Sequence, residues 1–290
     1  MALISVGSVI DRAWEHYTKH FLELMSISAW LLILAILNIF STWLSPDMAL
    51  TTPGAGPLNA TQVFGLVLYA VTFFLLAPVL SIWISNRLIK GVSLQLSGKT
   101  VNMKELARDG WKLFFPRLLV GFLTTLLILA PLLLLAPGGL LSLLAVASKS
   151  GGLSMAATAL IFLGVIAAFL VCVYVAVRVF FSPYTLVLDN NRGRQAIKNS
   201  AALSRGRWWA TLWRVAIPTA VFYFGMTTIQ ILILFVLKTI ILQVAGLNAA
   251  FASELYNIGS GTVFIVLNTL VAPLVVTANC LIYQSLKSER

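Results

Sequence analysis

Only two histidines occur in the chain, His16 and His20, and they stand one helical turn apart, the spacing at which two imidazoles can share a metal ion. No third ligand lies near them in sequence, so they read as surface or interfacial histidines. Paired carboxylates, a nucleophile elbow, a P-loop and the HExxH zinc motif are all missing from the sequence. The two cysteines, Cys172 and Cys280, sit in apolar runs and read as small core residues, because two isolated thiols supply neither a disulfide framework nor a metal site. The sequence therefore predicts no catalytic residue, no cofactor and no metal, and a protein that is not an enzyme.

Other chemistry is concentrated in Arg192–Arg214, "RGRQAIKNSAALSRGRWWATLWR", which holds six basic residues, three tryptophans and no acid. In a soluble chain this mixture would match phosphates and stacked bases of nucleic acid. Here the surroundings point to lipid. Trp208, Trp209 and Trp213 fall where an apolar run begins, the depth that amphipathic rings favour at a membrane surface. Arg194, Lys198, Arg205, Arg207 and Arg214 can extend toward headgroup phosphates from the same place. Near an anionic leaflet each such cation contributes about 1 kcal/mol. The plainer alternative is that these cations only set topology and anchor the span.

The elements that must position these residues follow from composition. The chain is 60% hydrophobic and 10% charged, against about 25% charged in soluble domains, and its mean hydropathy is +0.96. Six runs reach the roughly 20 residues needed to cross about 30 Å of hydrocarbon: 22–44, 62–86, 117–136, 156–180, 212–237 and 262–284. The opening residues lack a basic start and an unbroken apolar run, so no cleaved signal is expected. Of the 20 basic residues, 18 fall on alternate connections that include both termini, and the other two are Lys149 and Lys238. This asymmetry predicts cytoplasmic termini in the cell membrane.

A weak internal repeat emerges when the basic connections are aligned. "AWEHYTKHF" at Ala13, "ARDGWKLFF" at Ala107 and "AALSRGRWW" at Ala201 are spaced by 94 residues, each with an aromatic eight positions on. The repeats would cover about 5–98, 99–190 and 191–287 of a single membrane domain at 1–290. Around 100° per residue, Asp11, Arg12, Glu15 and Lys19 oppose Val9, Ala13, Trp14, Tyr17 and Phe21. Lys104, Glu105, Arg108, Asp109 and Lys112 likewise oppose Met103, Leu106, Ala107, Trp111, Leu113 and Phe114, while Arg194, Lys198 and Arg205 fall within one arc. The predicted fold is thus all-α: six transmembrane helices as three hairpin repeats, each preceded by an interfacial amphipathic helix on the cytoplasmic side. A solvated helix packed on its neighbours is the competing description.

Further expectations concern the spans and their connections. Polar side chains within them are few: Asn38, Ser81, Thr124, Thr125, Gln230, Asn268 and Asn279, with Gln230 and Asn279 the candidate intramembrane polar sites. No ionisable group falls near a span centre. The apolar connections 137–148 and 239–247 are expected as interfacial or re-entrant helices. Pro78, Pro131, Pro218 and Pro273 are expected to kink their spans. "TTPGAGPLN" at Thr51–Asn59 and "KSGGLS" at Lys149–Ser154 read as turns.

The junction "FFSPYTLVLDNNRGRQAIKNSAALSRGRWW", Phe180–Trp209, resembles a motif of a broad bacterial and archaeal family of polytopic membrane proteins. That family includes the membrane domain attached to some glycerophosphodiester phosphodiesterases. Pro183, Tyr184, Asp189, Ala196, Ser200, Leu203 and Gly206 carry the likeness, and "AWEHYTKHFLELMSISAWLLI" is similar to the family's opening. The resemblance implies a six-helix membrane domain and does not carry over a catalytic activity. On the residues alone, Pro183 ends the fourth span, "LDNN" turns the chain, and Asp189 pairs with Arg192 or Arg194.

The function expected from all this is a non-enzymatic module that binds anionic lipid headgroups of the cytoplasmic leaflet or a membrane-protein partner, in envelope or lipid homeostasis. The alternative is a transporter or permease-like protein that moves an amphipathic substrate through a cavity between hairpins. Nucleic acid is not an expected partner.

Overall fold

In hydrocarbon a backbone must satisfy its own polar groups, and helix is the local way to do so. The computed structural model describes residues 4–44, 59–246 and 248–289, and among them no strand occurs. Six helical stretches are long and apolar enough to cross a bilayer: Phe21–Leu44, Ala60–Leu96, Phe114–Ser148, Gly151–Asp189, Trp208–Ala245 and Phe251–Ser288. This is a multi-pass membrane protein. Each stretch contains the span expected at that place and outruns it.

The first stretch follows α1 (Val6–Lys19) and consists of α2 (Phe21–Ser28), a 3-10 turn and α3 (Leu32–Leu44). The second runs through α4 (Ala60–Ala70), a π-helical turn and α5 (Ala77–Leu96). After α6 (Met103–Lys112), the third comprises α7 (Phe114–Leu129), a 3-10 stretch and α8 (Ala136–Ser148). The fourth joins α9 (Gly151–Val179) to α10 (Ser182–Asp189). Then come α11 (Arg194–Leu203), α12 (Trp208–Ala245) and α13 (Ala249–Ser288).

Several expectations need correction. Residues 137–148 are no separate re-entrant helix: they lie in α8, which carries the third span onward, and 239–245 simply continue α12. At Pro131 the α-helical geometry of the third stretch gives way to 3-10 over Ala130–Leu135, and Pro137 stands in the first turn of α8. Pro218 and Pro273 sit inside α12 and α13, which continue on both sides of them, a continuity that does not bear on the kinks expected there. Helix α9 ends at Val179, and after the turn at Phe180–Phe181 Pro183 stands in the first turn of α10, which carries the stretch to Asp189; Asn190 then takes the left-handed conformation (φ 54°) that asparagine tolerates. Lys149 (φ 52°) turns α8 into α9, with the Ser150 side chain capping α9. Of the glycine-rich Thr51–Asn59, all but Asn59 lie outside the described residues, as do residues 247 and 290; Asn59 caps α4 by accepting from the Gln62 amide.

By its internal contacts the chain divides into two compact units. The first holds Met1–Phe114 and Arg214–Ser285; the second holds Phe115–Trp213 and Leu286–Arg290. In the first, α1 buries Val9, Ala13 and Tyr17, and the Tyr17 hydroxyl donates to Leu270 O at 3.0 Å. The first and last spans approach closely: a Cβ on Gly261 would meet Asn38 Nδ2 at 2.7 Å. In the second unit α8 folds back along α9. Small residues permit this, since a Cβ on Gly138 would lie 2.8 Å from the backbone nitrogen of Ile161. Beneath α11, Val120, Leu186 and Ala196 form a small buried cluster with Ile197 against it.

Most hydroxyls in the spans serve their own helices. Ser41, Thr124, Thr269 and Thr277 donate to carbonyls three or four residues back, and Asn268 Nδ2 donates to Phe264 O. These bonds stay within single helices and bridge no neighbour.

Candidate functional site

In the second unit, α11 keeps its cations on one side. Ala196, Ser200 and Leu203 are buried, while Arg194 and Lys198, one turn apart, are exposed. Two hydrogen bonds hold this orientation. Ser200 Oγ donates to Arg178 O at 2.8 Å, and Thr185 Oγ1 donates to Ala196 O at 2.9 Å. Thus α11 is fastened to the end of the fourth span. Its exposed side walls a cavity of about 410 Å³, completed by Ile197 and by Leu123, Leu126 and Leu127 of α7. The result is a leucine-lined trough with two cations at its rim and no carboxylate in its lining.

Arg205 does not belong to that arc. Helix α11 ends at Leu203, and Ser204–Gly206 turn the chain, with Gly206 at φ 74°, a conformation that suits a residue without a Cβ. Arg205 instead lines a second cavity of about 310 Å³ with Tyr174, Arg178, Ser204, Gly206 and Trp208. There the Arg178 guanidinium lies 5.6 Å from the Tyr174 ring centre, and its Nη1 donates to the Tyr174 hydroxyl at 3.3 Å. Trp208 Nε1 donates to Tyr174 O at 3.1 Å, fixing the other aromatic wall. No acid lines this cavity.

Other candidate cations are engaged within the protein. Arg207 pairs with Glu289, and Arg214 Nε donates to Ile4 O at 2.7 Å. Asp189 meets Lys287 at 2.6 Å, a partner 98 residues away that local spacing does not offer in place of Arg192 or Arg194. Trp209 and Trp213 are exposed and Trp208 is half-buried.

The first unit holds its polar groups differently. Trp83, Asn86, Arg87 and Lys90 share the face of α5 toward α6. Trp83 Nε1 donates to Ala107 O at 3.2 Å, Asn86 Nδ2 donates to Gly110 O at 3.3 Å, and Lys90 pairs with Asp109. The Arg87 side chain is buried with its guanidinium 4.4 Å from the Trp83 ring centre. The Lys90 hydrogen bond holds the Asp109 carboxyl below its usual range. At the start of the first span, His16 Nε2 pairs with Gln95 Oε1 at 3.0 Å, Gln95 Nε2 donates to Glu23 at 2.6 Å, and Glu23 lies 3.6 Å from His20. The two histidines are thereby bound into a protein network, and burial lowers the pKa of His16 despite the Gln95 bond. Among the described residues no group of three metal-ligating side chains gathers. Asn279 is buried, with Oδ1 lacking a hydrogen-bond partner among the described residues, and Gln230 is half-buried. Cys280 is fully buried, and Cys172 Sγ donates to Ile128 O at 3.0 Å.

Residues 12–286 match the family described as Domain of unknown function (DUF7847). The chain belongs to the DUF7847 family. No curated protein and no solved structure matches it. For this DUF7847 chain the candidate residues therefore rest on geometry. Sequence reasoning missed Tyr174 and Arg178, which complete the Arg205 cavity, and Arg87, which lies one position past the expected end of the second span. The signal for the last was present: Trp83, Asn86, Arg87 and Lys90 are spaced to share one face of a helix.

Proposed function

We propose that this DUF7847 protein is a non-enzymatic membrane module that holds anionic lipids at the cytoplasmic face of its second unit. The observation that carries the reading is the leucine-lined trough beneath Arg194 and Lys198. Apolar walls suit an acyl chain, and two cations one turn apart suit the phosphate above it. The Arg178–Arg205 cavity, aromatic-walled and free of acids, supplies a second cationic headgroup position nearby in the chain. Orientation follows from charge: the side with 18 of the 20 basic residues faces the cytoplasm, both termini included. In this reading α1, α6 and α11 lie in the headgroup zone, and the three hairpins descend from one repeated unit. The pattern of attachment supports this. The short helix before each odd span is fastened to an even one: α1 to the sixth, α6 to the second and α11 to the fourth. Kinship with the membrane domain of glycerophosphodiester phosphodiesterases remains a proposal on the Pro183–Gly206 motif.

The test is lipid retention. Arg194→Gln with Lys198→Gln, purified beside the parent chain, should retain several-fold less phosphatidylglycerol by mass spectrometry. Equal retention by a correctly inserted double variant rejects the site. A transporter is the second reading, favoured by a cavity within the spans of the first unit; transport requires that cavity to open alternately to both sides.

A further inference from the structure

The first unit contains a cavity of about 410 Å³ among four of its spans, and its lining carries no cation and no carboxylate. Its volume falls within the range of about 300–1,000 Å³ typical of small-molecule sites. Leu31, Leu34, Phe264, Ile265, Val275 and Val276 make its walls apolar. Four neutral polar residues interrupt them: Ser81, Ser85, Tyr223 and Asn268, drawn from the second, fifth and sixth spans. Ser81 and Ser85 are one turn apart on α5, only a few residues from the Trp83–Arg87 seam at the polar end of that span.

The hydrogen-bonding capacity of this lining narrows its ligand. Asn268 turns its amide nitrogen back onto Phe264 O at 2.9 Å, and that assignment is chemically forced because a carbonyl cannot accept from another carbonyl. Asn268 still has its carbonyl oxygen and its second N–H to offer a guest. Tyr223 and Ser81 carry hydroxyls that donate or accept. A guest that uses both capacities of this lining must donate as well as accept, which an ester carbonyl cannot do and a hydroxyl can. A charged head finds no counter-ion in the lining, and desolvating it there would be costly.

We infer that this cavity binds an uncharged long-chain lipid through a free hydroxyl, the chemical class of diacylglycerols and long-chain alcohols. Its alkyl chain lies along the Leu, Phe and Val walls while the hydroxyl bridges Asn268 and the hydroxyls of Tyr223 or Ser81. The site is independent of the anionic-lipid trough, sharing no lining residue with it.

The experiment uses the full chain in nanodiscs with a diacylglycerol bearing a photoreactive acyl chain. Crosslinks are expected in the peptides around 81–88 and 264–276, competed by unlabelled diacylglycerol and not by phosphatidylglycerol. Asn268→Leu should reduce this labelling about fivefold to tenfold, the loss of roughly one hydrogen bond. Ala272→Phe, which fills the cavity, should abolish it while leaving phosphatidylglycerol retention by Arg194 and Lys198 intact. Labelling spread evenly over lipid-facing helices, or unaffected by a monodisperse Ala272→Phe variant, overturns the site. Competition by phosphatidylglycerol or by the methyl ether of the alcohol as strong as by diacylglycerol overturns the assignment of a neutral hydroxyl.

Discussion

The fourth and sixth spans solve burial in opposite ways. Only 6% of the most apolar part of Gly151–Asp189 lies inside the protein, against 56% for Phe251–Ser288. Polar groups follow the same division. In the first unit Thr72, Asn86, Arg87, Thr269, Thr277 and Asn279 are buried within the spans. In the second, among the described residues, α8 and α9 hold no buried polar residue, α7 encloses Nη1 of Arg117 near its start, and fully buried polar residues begin at Ser182 and continue through Thr185, Ser200, Ser204 and Thr211. A hairpin solvated by lipid gains nothing from apolar contact as such, because the tails around it are equally apolar, so it must cohere by close packing. In the first unit a neighbouring helix meets some of these groups, as Gly110 O of α6 does for Asn86, while Thr269 and Thr277 bond carbonyls of their own helix.

That contrast can be broken by adding one methyl group to each unit. Gly138→Ala in the second unit should be the more damaging, because its Cβ would meet Ile161 at backbone atoms that cannot rotate away. A loss of about 1–3 kcal/mol is expected, read as a lower midpoint in thermal unfolding monitored in detergent. Gly110→Ala in the first unit meets Arg87 Cγ at 2.9 Å and Trp83 Cδ1 at 3.0 Å, both on side chains, and should cost less. Equal effects, or the reverse order, would remove close backbone packing as the distinguishing property of the second hairpin.

Acid should act selectively on the first unit. Burial lowers the His16 pKa, so the folded chain binds fewer protons than the unfolded one. The contribution of neutral His16 is present above the reference 6.5 and is lost as pH falls through and below it. Asp109, lowered chiefly by its bond from Lys90, contributes above 3.8 and loses that contribution only as pH falls further toward its folded value. Hydrogen-exchange protection factors of α1 should therefore fall between pH 7 and pH about 5.5, before those of α6. His16→Gln should flatten the α1 response, and a pH-independent α1 would contradict the burial argument. The smallest effect is reserved for Arg207→Gln at the end of the second unit. The Arg207 side chain is 44% exposed although that of Glu289 is only 6% exposed, so the pair should contribute about 1 kcal/mol, and a loss of several kcal/mol on unfolding would show that the buried carboxylate governs it.

The fold was legible where sequence leaves the chain little choice. Long uncharged runs located all six spans, and Asn190 adopted the left-handed turn its side chain suited. Lengths were underestimated because a helix need not stop where the hydrocarbon does, and a proline in a first turn does not stop it. The candidate site was legible in part. Arg194 and Lys198 share a cavity because both lie on α11, but Arg205 was misassigned to the same face by carrying helical geometry through Ser204–Gly206. Tyr174 and Arg178 could not be found from spacing, since they reach Arg205 and Trp208 only once the fourth span and the following turn have met. Asp189 finds Lys287 for the same reason: chain separation hides a tertiary partner.

Helices α12 and α13 hold 38 and 40 residues, lengths of roughly 57 and 60 Å against a hydrocarbon depth of about 30 Å. On α12, Arg214 and Lys238 stand about 36 Å apart along the axis, which leaves Thr239–Ala245 as a stub beyond the second cation. Ile240, Leu242 and Val244 of that stub are each more than half exposed. A thicker bilayer would draw these side chains into oil, whereas a thinner one would strand them in water. The exposed apolar end of α12 would thus exchange water for oil as the thickness of the surrounding bilayer changes.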